Sequence, residues 1–227
     1  MPYQLELLKL WSESWSRNGF EPCVITSVQT KSYSDYNEFY SQIKNIILAM
    51  MPNRKTEKRV AYSLACFIRW FAYSREQHDD YCFFSDYDVI NINLSIKDIL
   101  IKKSKYSHIN FLDHICPCFA IGKPEFCKDL CEDMIRISWH NILKNNIAEK
   151  VYHDQTFFIN NLDLLKNRYK FTKHSKLFAK TIHFSHNYIE RLHENILKTN
   201  MNKNYYQNLI NKLRIKTIKE VLCKAVQ

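Results

Sequence analysis

Glycine is nearly absent from this chain: Gly19 and Gly122 are the only two in 227 residues, where average usage of about 7% would give roughly sixteen. Dinucleotide-binding fingerprints and P-loops both need clustered glycines, because their backbones approach phosphate closely. Neither can be built here. Aromatic residues run the other way, with 14 Tyr, 14 Phe and 4 Trp. Hydrophobic residues at 46% and charged residues at 25% give the balance of an ordinary folded protein, which excludes disordered, collagen-like and low-complexity classes. The length suits one domain, or one with a modest appendage, and a sizeable core.

The net charge of +10 is uneven. Residues 1 to 140 hold 17 basic and 17 acidic side chains, and residues 141 to 227 hold 16 against 6. A basic C-terminal part attracts phosphates, nucleic acid or anionic lipid through its long-range field. Eight cysteines with scattered spacing and no signal peptide point to reduced thiols in a cytosol-like compartment. The longest apolar candidate, Val60 to Ser74, is broken by Arg69, so no membrane span of about 20 residues is expected. The expected location is the cytoplasm, or the periphery of the cytoplasmic membrane face.

Leu5, Leu8, Trp11 or Ser12, and Trp15 recur at helical spacing, and Gly19 stops that helix at its C′ position. Pro22 to Thr26 reads as a short buried strand. A helix from Tyr36 ends before Pro52, and another from Val60 buries positions 60, 64, 67, 68 and 71 on one face, which sets Arg69 beside the core. Tyr81 to Phe84 is an apolar strand running into Ser85-Asp86-Tyr87-Asp88. Pro124 and Glu125 open a helix with Phe126, Leu130, Met134 and Ile137 on one side. Thr156 to Asn160 and Thr181 to His186 follow, and basic amphipathic helices close the chain. Short strands between longer helices predict an α/β architecture with a mostly parallel sheet.

Bare aspartates at the tip of an apolar strand are disfavoured by β propensity and by desolvation. Alternation along an extended segment turns Asp86 and Asp88 to the same side, where two carboxylates can share a hard cation such as Mn²⁺ or Mg²⁺. A solvated turn is the plainer reading of the same residues.

The order of segments is what carries a family likeness. A helix, then Trp15-x-x-x-Gly19-Phe20-Glu21-Pro22-x-Val24-Ile25, a helix bearing Arg69-Trp70, Ser85-Asp86-Tyr87-Asp88-Val89, Asp154-Gln155 and Ile182-His183-Phe184-Ser185-His186 together resemble nucleotide-sugar glycosyltransferases of the GT-A type. The likeness spans roughly residues 5 to 195. It implies a GT-A-like domain over residues 1 to 186, a mostly parallel sheet flanked by helices, with basic helices of residues 187 to 227 packed on it. The strand that opens such a sheet ahead of Leu5 has no counterpart in the chain. Gln77-His78-Asp79-Asp80 stands where such enzymes often carry Gly-Gly.

The resemblance also implies chemistry. A UDP- or GDP-sugar would be held through Mn²⁺ or Mg²⁺ by Asp86 and Asp88, with His183 or His186 joining the metal or diphosphate. Arg69 would contact the donor, and Asp154 would lie near an acceptor of unknown identity as the acid–base residue. The leaving nucleoside diphosphate needs a metal and cations to stabilise its charge. Each residue also has a structural reading: Asp154 as a helix cap before Thr156 and Phe157, Arg69 as an ion-pair partner of Asp86 or Asp88, His183 and His186 as ordinary core or surface histidines at a strand end. The alternative at the level of the whole chain is a catalytically inactive glycosyltransferase-like binding protein acting at an anionic surface, membrane or nucleic acid. In that case Lys203, Lys212, Arg214, Lys216, Lys219 and Lys224 would surround an apolar stripe suited to peripheral membrane contact or a nucleic-acid face, whereas the glycosyltransferase reading expects no nucleic acid partner. Cys116, Cys118, Cys127 and Cys131, with His114 and His140 nearby, form a zinc alternative of unusual spacing.

Overall fold

A computed structural model describes residues 2–52, 56–77, 81–100, 110–111, 119–146, 151–171, 178–194 and 203–225. In chain order the elements are α1 (Pro2–Ser16), α2 (Ser27–Ser32), α3 (Tyr36–Met50), α4 (Glu57–Tyr73), β1 (Cys82–Ser85), β2 (Val89–Asn91), α5 (Ile96–Leu100), β3 (Asn110–Phe111), β4 (Phe119–Gly122), α6 (Pro124–Leu143), α7 (Asp154–Asn160), α8 (Leu162–Leu165), β5 (Lys170–Phe171), a 3-10 turn (Phe178–Lys180), β6 (Thr181–His183), α9 (His186–Leu192) and α10 (Lys203–Lys224). They form two compact units, both discontinuous in sequence: Met1–Cys23, Ser85–Ser104 and His174–Gln227 in one, Val24–Phe84 and Lys105–Lys173 in the other.

The expected mostly parallel GT-A-like sheet is not what the chain forms. Helices dominate, and the strands are two to four residues long. One sheet has the order β1-β4-β3-β5, and the other is the pair β2-β6. β3 runs antiparallel to β4 and parallel to β5 over two residues only, and β2 and β6 are antiparallel. Pro22 to Thr26, read as a strand, accounts for part of the difference. In Pro22 to Thr26 no regular strand forms: Val24 is exposed, and Thr26 caps α2 by accepting from the Gln29 N–H at 3.2 Å. Thr156 to Asn160 is the body of α7, capped by His153. A short apolar run cannot announce by periodicity whether it will be strand or buried helix.

The second unit is a helical core. α3, α4 and α6 pack together around Ile43, Ile46, Phe67, Trp70, Leu130 and Met134, all fully buried. α4 buries Val60, Leu64, Phe67 and Phe71 of the face its spacing predicted, with Ile68 only partly buried and Trp70 buried beside them. α6 opens at Pro124 as predicted and buries Leu130, Met134 and Ile137 on the expected side, while Phe126 stays partly exposed. Phe157 of α7 meets Phe67 edge-on, and Phe158 meets Trp70. Burial of such rings contributes about 1.5–3 kcal/mol each, so α7 is fixed by packing and not by its short length.

The first unit is built on α1. Gly19 has φ +87°, its N–H bonds to Ser16 O at 3.0 Å and the Phe20 N–H reaches back to Trp15 O at 3.3 Å, while the Trp15 and Phe20 rings meet at 5.1 Å. That is a Schellman ending with its hydrophobic contact. α6 ends the same way, with Asn145 at φ 58° where glycine is usual. α10 packs along α1 and α9, burying Ile210, Leu213, Ile218 and Leu222 and leaving Lys212, Lys216, Lys219 and Lys224 exposed. The apolar stripe of the basic helix is thus covered within its own unit. No helix among the described residues is long and apolar enough to cross a membrane.

Candidate metal centre

The site belongs to the first unit and is assembled by α1. Three α1 side chains at helical spacing hold the segment between β1 and β2. The Trp11 indole N–H donates to Ser85 Oγ at 3.0 Å, the Trp15 indole N–H to Val89 O at 3.1 Å, and Ser14 Oγ accepts from the Asn91 N–H at 3.1 Å. Ser85 Oγ in turn donates to Asp86 O at 2.9 Å. Positions 11, 14 and 15 share one helical face, so one amphipathic stripe grips three backbone or near-backbone points.

Between those points the chain turns. The Val89 N–H bonds to Asp86 O at 3.0 Å, closing a tight turn with Tyr87 and Asp88 at its centre. The extended geometry expected for Asp86 and Asp88 is therefore replaced by a turn, because β1 ends at Ser85. The turn still gathers the two carboxylates. β6 then delivers the third group: Val89 pairs with His183, and the Phe184 N–H donates to Asp88 O at 2.8 Å. This register sets His183 Nε2 3.4 Å from Asp88 Oδ1, with both side chains about one-fifth exposed. One ligand atom each from Asp86, Asp88 and His183 lies within 4.8 Å of the others, the one such group among the described residues.

That donor set fits a divalent cation. An octahedral ion with bonds of about 2.1 Å separates its ligands by roughly 3–4 Å, close to the spacing found. Two carboxylate oxygens with one imidazole nitrogen suit Mn²⁺, and Mg²⁺ accepts the oxygens. Three protein ligands leave positions for water or for a substrate oxygen. Tyr87, between the carboxylates, has its hydroxyl pKa raised, by burial first and by the Asp88 charge next, while Arg214 acts in the opposite sense.

The remaining predicted residues lie elsewhere. His186 opens α9, and its side chain is outside the described residues, as are residues 78–80 and Cys116, Cys118 and His114. Arg69 and Asp154 belong to the second unit and are paired with each other. Arg69 Nε donates to Asp154 Oδ2 at 2.9 Å, and Nη2 reaches the same oxygen. The Trp70 indole donates to it at 2.9 Å, and the Gln155 N–H takes Oδ1 at 2.8 Å. Asp154 is 1% exposed; so held, it ties α4 to α7. The cap before Thr156 is His153, whose Nδ1 accepts at 3.5 Å. Cys127 and Cys131 are buried thiols with pKa pushed up by desolvation, which opposes the thiolate form that zinc requires.

Sequence reasoning missed Trp11, Ser14 and Trp15 as the scaffold of the site. Their signal was present as a polar hydroxyl between two indoles on an otherwise apolar face. It also missed Asp133, a buried carboxylate gathering Arg136, Arg168 and the Tyr169 hydroxyl, since nothing in its spacing separates it from a surface acid. No protein-family model, curated protein or solved structure matches this chain. The chemistry of the site is therefore argued from its own residues.

Proposed function

We propose that this chain is a divalent-metal-dependent glycosyltransferase drawing on a nucleoside-diphosphate sugar, with Asp86, Asp88 and His183 as the metal ligands. The observation that carries the reading is the Asp86–Asp88–His183 cluster, in which His183 follows Asp88 by 95 positions in sequence and is brought beside it by the β2–β6 register. The order of motifs along the chain, which resembles that of nucleotide-sugar transferases, supplies the donor class. A cation there neutralises charge on a departing nucleoside diphosphate and orients it. The protein's own part is to hold the ligands rigid: the turn is pinned by α1, and His183 is fixed by strand pairing.

The reading is tested by thermal shift with UDP, GDP and their common sugars, with and without Mn²⁺, on wild type and Asp88→Ala, followed by assay for released nucleoside diphosphate. Ligand at a hundred times its dissociation constant stabilises by about 2.7 kcal/mol. The expected result is a Mn²⁺-dependent shift lost in Asp88→Ala. Absence of a shift with every nucleotide overturns the proposal, and a shift without turnover reduces it to a nucleotide-sugar-binding protein.

A further inference from the structure

The inner side of α6 is accounted for, with Cys127, Leu130, Met134 and Ile137 buried in the core of the second unit. A second apolar stripe is turned away from them along the last half of the helix. It consists of Ile135, Trp139 and Leu143, each one turn beyond the last. Ile135 is partly buried against the core, Trp139 is 39% exposed and Leu143 is 82% exposed. Trp139 is the exception among the four tryptophans. Trp11, Trp15 and Trp70 are at most 9% exposed, and their indoles donate to Ser85 Oγ, Val89 O and Asp154 Oδ2. The Trp139 N–H has no such partner among the described residues. Apolar side chains exposed in a row, unlike single scattered ones, mark an interaction surface, and tryptophan is enriched at the energetic centre of such surfaces.

Two features of this face decide what covers it. The stripe reads alike in both directions from Trp139, with a large aliphatic residue four positions before it and four after. A two-fold contact between identical antiparallel helices uses that pattern, because it seats Trp139 on its own counterpart and Ile135 against Leu143 of the other copy. The charges follow the same order. Glu125, Asp129 and Glu132, with Lys128, line the first half of the exposed side, and Arg136, His140 and Lys144 line the second. Arg136 bonds Asp133 and still keeps its side chain 69% exposed. The helix dipole favours acids in the first turn and bases in the last, which leaves the mid-helix positions of Glu132 and Arg136 unaccounted for. Antiparallel copies bring Glu132 of one toward Lys144 of the other, whereas parallel copies set Glu132 on Glu132 and Arg136 on Arg136. We propose that the outer face of α6 is a homodimer contact, two copies of this chain pairing antiparallel across Trp139. The inference is independent of the metal reading. One helix stripe covers less than the roughly 800 Å² per partner of a standard interface, so a dissociation constant on the order of 10–100 μM is expected.

Sedimentation equilibrium of the full chain from about 5 to 500 μM spans that range. Wild type should pass from monomer to dimer and grow no further, because a two-fold contact closes on itself. Leu143→Glu should weaken the dimer at least about tenfold. Its melting temperature at the lowest concentration should match that of wild type, since the side chain lies outside the core. Glu132→Lys and Lys144→Glu should each weaken association by about threefold, the scale of an exposed ion pair, and the double variant should recover wild-type affinity. A monomer at every concentration overturns the inference, as does a dimer that Leu143→Glu leaves intact. Assembly beyond the dimer also overturns it. A double variant no tighter than the single ones overturns the antiparallel pairing.

Discussion

Gly19 and Asn145 occupy equivalent left-handed positions after α1 and α6. A side chain at Gly19 would meet open space, so the penalty of substitution there is conformational alone. Gly19→Ala should lose about 1 kcal/mol in urea unfolding with an unchanged m-value, and Gly19→Asn less. Asp154 shows the opposite situation, a side chain whose surroundings supply everything. Asp154→Asn leaves Arg69 and the Trp70 N–H facing a neutral group, and with Arg69 about one-fifth exposed the expected loss is about 2–3 kcal/mol. Activity measured per folded molecule separates that structural loss from an effect on chemistry. The Gly19 ending was legible in the sequence because it depends on neighbours five residues away. The Arg69–Asp154 pair was not, since 85 positions separate the partners and either could have met another charge.

At the level of elements, α1 is the support on which the Asp86–Val89 turn rests. Trp15→Phe removes the bond to Val89 O while preserving most of the ring's burial, and should weaken Mn²⁺ about tenfold, as removal of an outer hydrogen bond around a metal site commonly does. Mn²⁺ titration of the variant measures it. The loop after β2 is tied differently. Asp98 accepts from Lys180 Nζ at 2.6 Å and from the Ser95 N–H at 2.9 Å, and the Lys180 bond is the main reason its carboxyl pKa is held down to about 2. A folded pKa below the unfolded value of about 3.9 means stabilisation present at neutral pH and lost as pH falls from about 4 toward 2. Lys180→Met should therefore be less stable than wild type at pH 7, and the difference between their urea midpoints should vanish near pH 2.

For the molecule as a whole, the two units set what ligand binding can report. Each is stitched from separated segments, so its long-range contacts form only after loop closure. Cation binding at Asp86, Asp88 and His183 should slow amide exchange first in β2, β6 and α1, and hydrogen-exchange mass spectrometry on Mn²⁺ addition reads this directly. The amino-acid order was sufficient to set the helices of residues 36–50, 57–73 and 124–143, because apolar periodicity, capping and proline are local properties. It was also sufficient to mark Asp86 and Asp88 as misplaced for a buried strand. Folding alone settled that Pro22 to Thr26 forms no strand and that the sheets are small, since a short apolar run takes whichever form its neighbours impose. It alone chose His183 as the third member of the cluster. Strand register and long-range charge pairing depend on which distant segments meet, and no local pattern encodes that meeting.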